Sequence, residues 1–268
     1  MTNLKLNDIS MYYAIHGAGE PIVFIAGFGM DHTSWQTIVD KFKDYYQVIL
    51  FDNRGAGQTD VPDGPYTIEE MAHDVVQLCA KLGVIRAHFI GNSMGGFILQ
   101  TIAYKHPELV KSAIISNSTA TPNTCFYIYA DAQLELLKTE ASLTALAKAS
   151  CSWAFSFQFL SRPGMIEHLI QLGLENPYPF SVKGYAGQYA AIAQFDSKTW
   201  VNQIQVPTLV LAADQDLVFV ESSVKLLADQ IPNASYYCFE ECGHLPHIEY
   251  PEQFSKVILA FIEGLSEP

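Results

Sequence analysis

A chain of 268 residues that is 49% hydrophobic and 16% charged has the composition of a folded globular protein and the length of one large domain or two small ones, which excludes a disordered chain. Fifteen Lys and Arg against 28 Asp and Glu leave a formal net charge of -13, a field that repels phosphate polymers and anionic lipid surfaces, so no nucleic acid partner and no membrane insertion are expected. The N-terminal stretch MTNLKLNDISMYYAIHGAGE carries no basic end followed by an apolar run, and no uncharged apolar stretch approaches membrane-spanning length, so the expected location is cytoplasmic.

In chain order, short β-type runs alternate with helical segments. PIVFIAG (Pro21 to Gly27), YQVILFD (Tyr46 to Asp52), AHFIGN (Ala87 to Asn92) and SAIISNS (Ser112 to Ser118) are rich in Val, Ile and Phe, and several are apolar without alternation, as strands covered on both faces are. Between the second and third, Met71, Val75, Leu78 and Leu82 recur at helical spacing, which predicts a helix over Thr67 to Leu82 with Gly83 as its stop. From about Thr119 to Trp200 the strand signals vanish, while Ala130 to Ala149 and Pro163 to Leu174 read as helical, with aromatic clusters SWAFSFQFL and NPYPF. PTLVLAAD (Pro207 to Asp214) and SYYCFEE (Ser235 to Glu241) then resume the strand pattern. The expectation is an α/β protein with a mostly parallel sheet, residues 1–118 and 201–268 forming the core and 119–200 a helical cap inserted before the last two strands.

Gly91-Asn92-Ser93-Met94-Gly95 closes the run AHFIGN and opens the apolar helix FILQTIAY. The pattern G-x-S-x-G at a strand-to-helix turn is what an exposed nucleophilic serine needs, because small residues two places either side let the backbone pass closely. An ordinary helix N-cap is the competing reading of Ser93. A serine is a weak nucleophile and needs a base within reach, itself oriented by an acid. Downstream, His244 follows Gly243 in the loop after SYYCFEE, at the mouth of the sheet, and is the expected base; His247 is expected as a surface or helix-start residue. Asp214 and Asp216 both leave the strand PTLVLAAD, and Asp216, in the loop, is the expected acid. Developing negative charge on the carbonyl oxygen asks for main-chain donors; Phe28, in the turn Gly27-Phe28-Gly29-Met30, and Met94 are the expected pair.

Together with GNSMG, the segments FDNRGAGQTD (Phe51 to Asp60), similar to a D-x-R-G-x-G-x-S/T loop, and ECGHLPHIEYPEQF (Glu241 to Phe254), similar to G-H-x-x-x-x-E-x-P, resemble the α/β-hydrolase family. The resemblance runs from about Pro21 to Ile262, except the cap, and the small enol-lactonase-like and carboxylesterase members look most similar. Ala26 departs from the family where many members carry His, and Ala213 where a Gly commonly precedes the acid loop. What the resemblance implies is a serine hydrolase of small carboxylic esters or lactones, with Ser93, Asp216 and His244 as a catalytic triad. Haloalkane dehalogenases and epoxide hydrolases, which use an Asp at the elbow, do not fit Ser93. Carbon–carbon bond hydrolases, cofactor-free haloperoxidases and ligand receptors that keep the triad remain alternatives.

The letters Cys238-x-x-x-Cys242-x-His244-x-x-His247 imitate a zinc site, but two cysteines four apart on one strand lie about 13 Å from each other. No G-x-G-x-x-G or Walker sequence occurs, so no cofactor is implied. The five cysteines, odd in number and scattered, are expected as reduced, mostly buried thiols. Arg54 is expected to brace its Gly-rich loop through a carboxylate. Of the cap aromatics Trp153, Phe155, Phe157 and Phe159, most are expected in packing and one or two in the pocket wall.

Overall fold

Strands that are apolar on both faces must be covered on both faces, and the computed structural model, which describes residues 2–265, shows that arrangement. Eight strands form one sheet: β1 (Thr2–Lys5), β2 (Ser10–His16), β3 (Glu20–Ile25), β4 (Tyr46–Phe51), β5 (Ala87–Asn92), β6 (Val110–Ser116), β7 (Thr208–Ala213) and β8 (Ser235–Phe239). Their spatial order is β1-β2-β4-β3-β5-β6-β7-β8, parallel from β4 to β8, with β1 and β2 added antiparallel at one edge. Neither β1 nor β2 is anticipated from the sequence, because β1 has no buried position and β2 mixes exposed, half-buried and buried ones.

Alternate side chains of the central strands feed two separate cores. Val23, Ile25, Ile49, Phe51 and Phe89 pack in the larger one and Ile22, Phe24, Val48, Leu50 and Ile90 in the smaller, the period of two of a pleated strand. The smaller core is closed by α1 (Gln36–Phe42) through Ile38, Val39 and Phe42. On the opposite face lie α2 (Ile68–Lys81) and α3 (Met94–Lys105), burying Met71, Val75, Leu78, Phe97 and Ile98 in the larger core. The predicted start of α2 at Thr67 is a capping box, with Thr67 Oγ1 accepting from Glu70 N at 3.1 Å and Glu70 Oε2 accepting from Thr67 N at 2.8 Å. Gly83, at φ 73, ends it.

Between β6 and β7 the chain forms five helices and no strand: α4 (Thr124–Lys138), α5 (Leu143–Ala154), α6 (Phe157–Leu160), α7 (Met165–Glu175) and α8 (Val182–Ala193). The helical stretch expected over Ala130 to Ala149 is two helices, because the chain turns after Lys138 with Glu140 at φ 54. Helix α4 packs on α8, and α5 on α7. After β7, α9 (Glu221–Gln230) returns to the larger core, and α10 (Pro246–Glu249) and α11 (Pro251–Gly264) close the smaller one with Phe254, Ile258 and Ile262. No helix among the described residues is long and apolar enough to cross a membrane. The five cysteines are free. The expectation that most are buried is corrected: only Cys79 and Cys242 are, since Cys125 lies exposed on α4 and Cys151 and Cys238 are half-buried.

Candidate active site

The carboxyl ends of parallel strands point their loops into one crevice, where open α/β sheets bind ligands. Ser93 leaves β5 there with φ 56 and ψ -118, a backbone conformation that costs a non-glycine residue about 1–3 kcal/mol. Surrounding structure enforces it. A Cβ on Gly91 would sit 2.2 Å from the Gly95 carbonyl oxygen, and one on Gly95 would sit 2.1 Å from that of Ile25, so both flanking glycines are required by close backbone approach. The turn is tied down by Ser93 N donating to Ser116 O and Gly96 N donating to Ser93 O, both at 2.9 Å. Ser93 makes no side-chain capping bond to α3, which argues against the N-cap reading.

His244 Nδ1 lies 2.8 Å from Asp216 Oδ2, a pairing in which the carboxylate accepts from Nδ1–H and leaves Nε2 for the cavity. The same Oδ2 accepts from Asn117 Nδ2 at 2.9 Å, and Oδ1 accepts from the Val218 and Phe219 N–H groups at 2.8 and 2.9 Å. Four donors thus hold one buried carboxylate. Asn117, at φ 47 just beyond β6, is oriented by Ser116 Oγ, which donates to its Oδ1 at 2.9 Å. Asp214 does something else: it accepts from Cys242 N at 3.1 Å and its own N–H donates to Phe239 O at 3.0 Å. It links the two loops but does not touch His244.

Ser93, His244 and the turn Gly27–Met30 all line one cavity of about 380 Å³. Among the described residues no protein acceptor takes the Phe28 or the Met94 N–H. The neighbouring Gly29 N–H is taken: it donates to Gln188 Oε1 at 3.0 Å, while Gln188 Nε2 donates to Arg54 O at 2.9 Å. Gln188 is fully buried and joins α8 to the turn and to the Arg54 loop. The contact is close, since a Cβ on Gly184 in α8 would lie 2.0 Å from Gly55 O. At Ala26 the main chain is held by Asn53, whose Nδ2 donates to Ala26 O at 3.1 Å. Arg54 braces its loop as expected, with Nε and Nη2 on Asp74 at 2.6 and 2.8 Å.

The loop carrying His244 is braced by the inserted helices. His244 N donates to Ala154 O at 2.7 Å, at the end of α5. Glu249 Oε1 accepts from Gly243 N at 2.9 Å and from Ser156 N at 3.0 Å, and Oε2 accepts from Ser156 Oγ. Burial pushes the Glu249 carboxyl above its usual range, against the opposing pull of these donors. Phe157 N also donates to Gln215 Oε1 at 3.1 Å.

His247 corrects the expectation of a surface residue. It does begin a helix, α10, but is buried, its ring 4.4 Å from that of Trp35 with neither nitrogen hydrogen-bonded. Desolvation, aided by nearby His244, lowers its pKa to about 3. Trp153 and Phe155 line the cavity, whereas Phe159 is buried in packing and Phe157 is exposed. The zinc-like letters do not gather. Among the described residues the group with metal-ligand types within 4.8 Å is Asp31, His32 and Asp52. There, Asp52 Oδ1 accepts from His32 N and pairs with its Nδ1, Asp52 Oδ2 accepts from Gln58 N, and Asp31 accepts from Thr33 and Asn176. These carboxylates are engaged as a structural knot.

An open, mostly parallel sheet with helices on both faces and a buried polar cluster at the carboxyl ends of its strands places the protein in the α/β class. The family model described as alpha/beta hydrolase fold matches residues 20–251. The 3-oxoadipate enol-lactonase 2 of Acinetobacter baylyi is 29% identical over 263 residues, 97% of this chain and 96% of that protein. The enol-lactonase from Burkholderia xenovorans LB400 superposes with a TM-score of 0.88 at 26% identity, covering 98% of this chain and 100% of that one. A thermophilic esterase from Thermogutta terrifontis gives 0.85 at 26%, covering 96% and 94%. The chain belongs to the α/β-hydrolase fold family, and its relatives support a hydrolase role. Other relatives at 30% identity carry names for carbamate hydrolysis and non-heme bromoperoxidation, so similarity alone does not select the reaction.

Proposed function

We propose that the protein hydrolyses small carboxylic esters or lactones through an acyl-enzyme on Ser93. The observation that carries this reading is the shared cavity, lined by Ser93 on its strained turn, by His244, which pairs with Asp216 at 2.8 Å, and by the turn that carries Phe28. Ser93 Oγ attacks the carbonyl carbon while His244 Nε2 takes its proton. The carbonyl oxygen gains the electron pair and is held by the Phe28 and Met94 N–H groups. As the tetrahedral adduct collapses, the C–O bond to the alcohol breaks and His244 returns the proton to the departing oxygen. Water then repeats the sequence on the acyl-enzyme, giving the acid and free Ser93. Asp216 stays ionised and steadies the imidazolium. A lactone opens by the same steps with its alcohol still attached.

The enol-lactonase and esterase relatives support a reading as a hydrolase of this kind. The test is steady-state hydrolysis of p-nitrophenyl esters from acetyl to decanoyl and of small lactones, beside Ser93→Ala. Turnover by the parent and none by the variant is expected; equal rates in the two would sink the reading.

A further inference from the structure

The cavity is walled without a charged side chain other than what His244 can carry. Its wall is apolar on the sides given by Phe28, Phe126, Trp153 and Phe180, and neutral-polar where Tyr129, Gln133 and Ser150 meet it from α4 and α5. Tyr129 OH donates to Ser150 Oγ at 2.7 Å, and its ring packs on Trp153 with centroids 3.9 Å apart. No Lys or Arg lines it. Arg54, the buried cation of the neighbouring loop, is consumed by Asp74 with Asp8 and Glu70 around it. Arg162 instead lies over the Phe159 ring at 4.7 Å. Behind His244 lies the Asp216 carboxylate that pairs with its Nδ1, and Glu249 accepts from the adjoining Gly243 N–H, in a chain of net charge -13.

Building on the serine-hydrolase reading, we infer that the site selects uncharged acyl substrates: neutral esters or lactones whose acyl part is largely apolar, with room for a neutral hydrogen-bonding group against Tyr129, Gln133 and Ser150. A substrate carboxylate seated there loses part of its hydration without gaining a cation, and the base beside it is already paired to the Asp216 carboxylate. A neutral carbonyl or amide has donors and acceptors to meet. The volume of about 380 Å³ is at the small end of ligand sites, which fits a short acyl chain.

Two esters that differ by one charge and one methyl group test this: mono-p-nitrophenyl glutarate and its methyl-capped counterpart, with p-nitrophenyl pentanoate as the apolar reference. At neutral pH the capped ester is expected to exceed the free acid in kcat/KM by at least about tenfold, the scale set by partial desolvation of an unpaired charge. A ratio near unity, or one favouring the acid, overturns the inference while leaving the serine mechanism intact. Gln133→Arg adds a cation to the wall and is expected to cut the ratio by about tenfold; an unchanged ratio in a folded variant counts against the inference. If the esters turn over too slowly, the same acyl chains built as fluorophosphonates give the ratio as rates of labelling at Ser93. Protein that no fluorophosphonate labels overturns the serine-hydrolase reading itself, and the inference with it.

Discussion

His244 and Ala154 are joined main chain to main chain, the N–H of one donating to the carbonyl of the other at 2.7 Å. The residue read as the general base is therefore positioned from two sides, by Asp216 of the sheet and by the end of an inserted helix.

Ser93→Ala removes the proposed nucleophile while leaving its turn to the flanking glycines. Esterase kcat is expected to fall by about 10⁴-fold or more, with circular dichroism unchanged. The check is single-turnover and steady-state kinetics on one preparation.

Asp216→Asn and Asp214→Asn separate the two acids. Asn at 216 places an amide where His244 and Asn117 both require an acceptor, so a loss of about 10⁴-fold in kcat is expected. Asn at 214 can still accept from Cys242 N and should keep activity within about tenfold. The reverse ranking would assign the acid to Asp214.

Glu249→Leu leaves the Gly243 N–H, the Ser156 N–H and the Ser156 hydroxyl without their acceptor. A stability loss of about 1–3 kcal/mol per unsatisfied buried group is the scale, with kcat reduced because the His244 loop loosens. Glu249→Gln keeps one acceptor and should recover part of both. Urea denaturation beside kcat measurements decides it; a Leu variant with parental kcat would show that Glu249 serves the fold alone.

Gln188→Leu frees the Gly29 N–H next to the proposed oxyanion donor Phe28. The expected change is in kcat rather than KM, by about tenfold, because the turn and not the cavity wall is altered. A change confined to KM would place Gln188 in substrate binding instead.

His247 makes stability depend on pH. Its folded pKa, about 3, lies below the usual imidazole value, so the unfolded chain binds the extra proton first as pH falls. Its contribution is complete above pH ~6.5 and is lost progressively down to its folded pKa, at up to about 1.4 kcal/mol per pH unit. In His247→Phe this part of the slope should vanish from denaturant titrations run across that window. An identical pH profile in the variant would contradict a buried, neutral His247.

Much of this architecture is legible in the sequence. The inner strands announce themselves because both faces are buried, and the glycines about Ser93 because nothing larger fits. The order Ser93, Asp216, His244 follows from loops leaving strand ends. Asn117 sits within the run SAIISNS but carries no local signal, since its partner Asp216 lies 99 residues on. Gln188 is worse placed still, 159 residues from Gly29 and inside a segment with no recognised motif. Strands β1 and β2 were hidden because an edge pair that mixes exposed and buried positions lacks the apolar run on which the inner strands were read.

Gln188 and Ala154 also bear on engineering by segment exchange. A foreign insert spliced between β6 and β7 would remove, along with the wall of the pocket, the acceptor for the Gly29 N–H and the carbonyl under His244. The interchangeable part is shorter than the segment between β6 and β7: α7, which has no buried residue, is the stretch to trade, while the last turn of α5, Ser156, Phe157 and α8 travel with the host. Chimeras cut at those inner boundaries should keep a working serine, and chimeras cut at the strand ends should fold with a slack one.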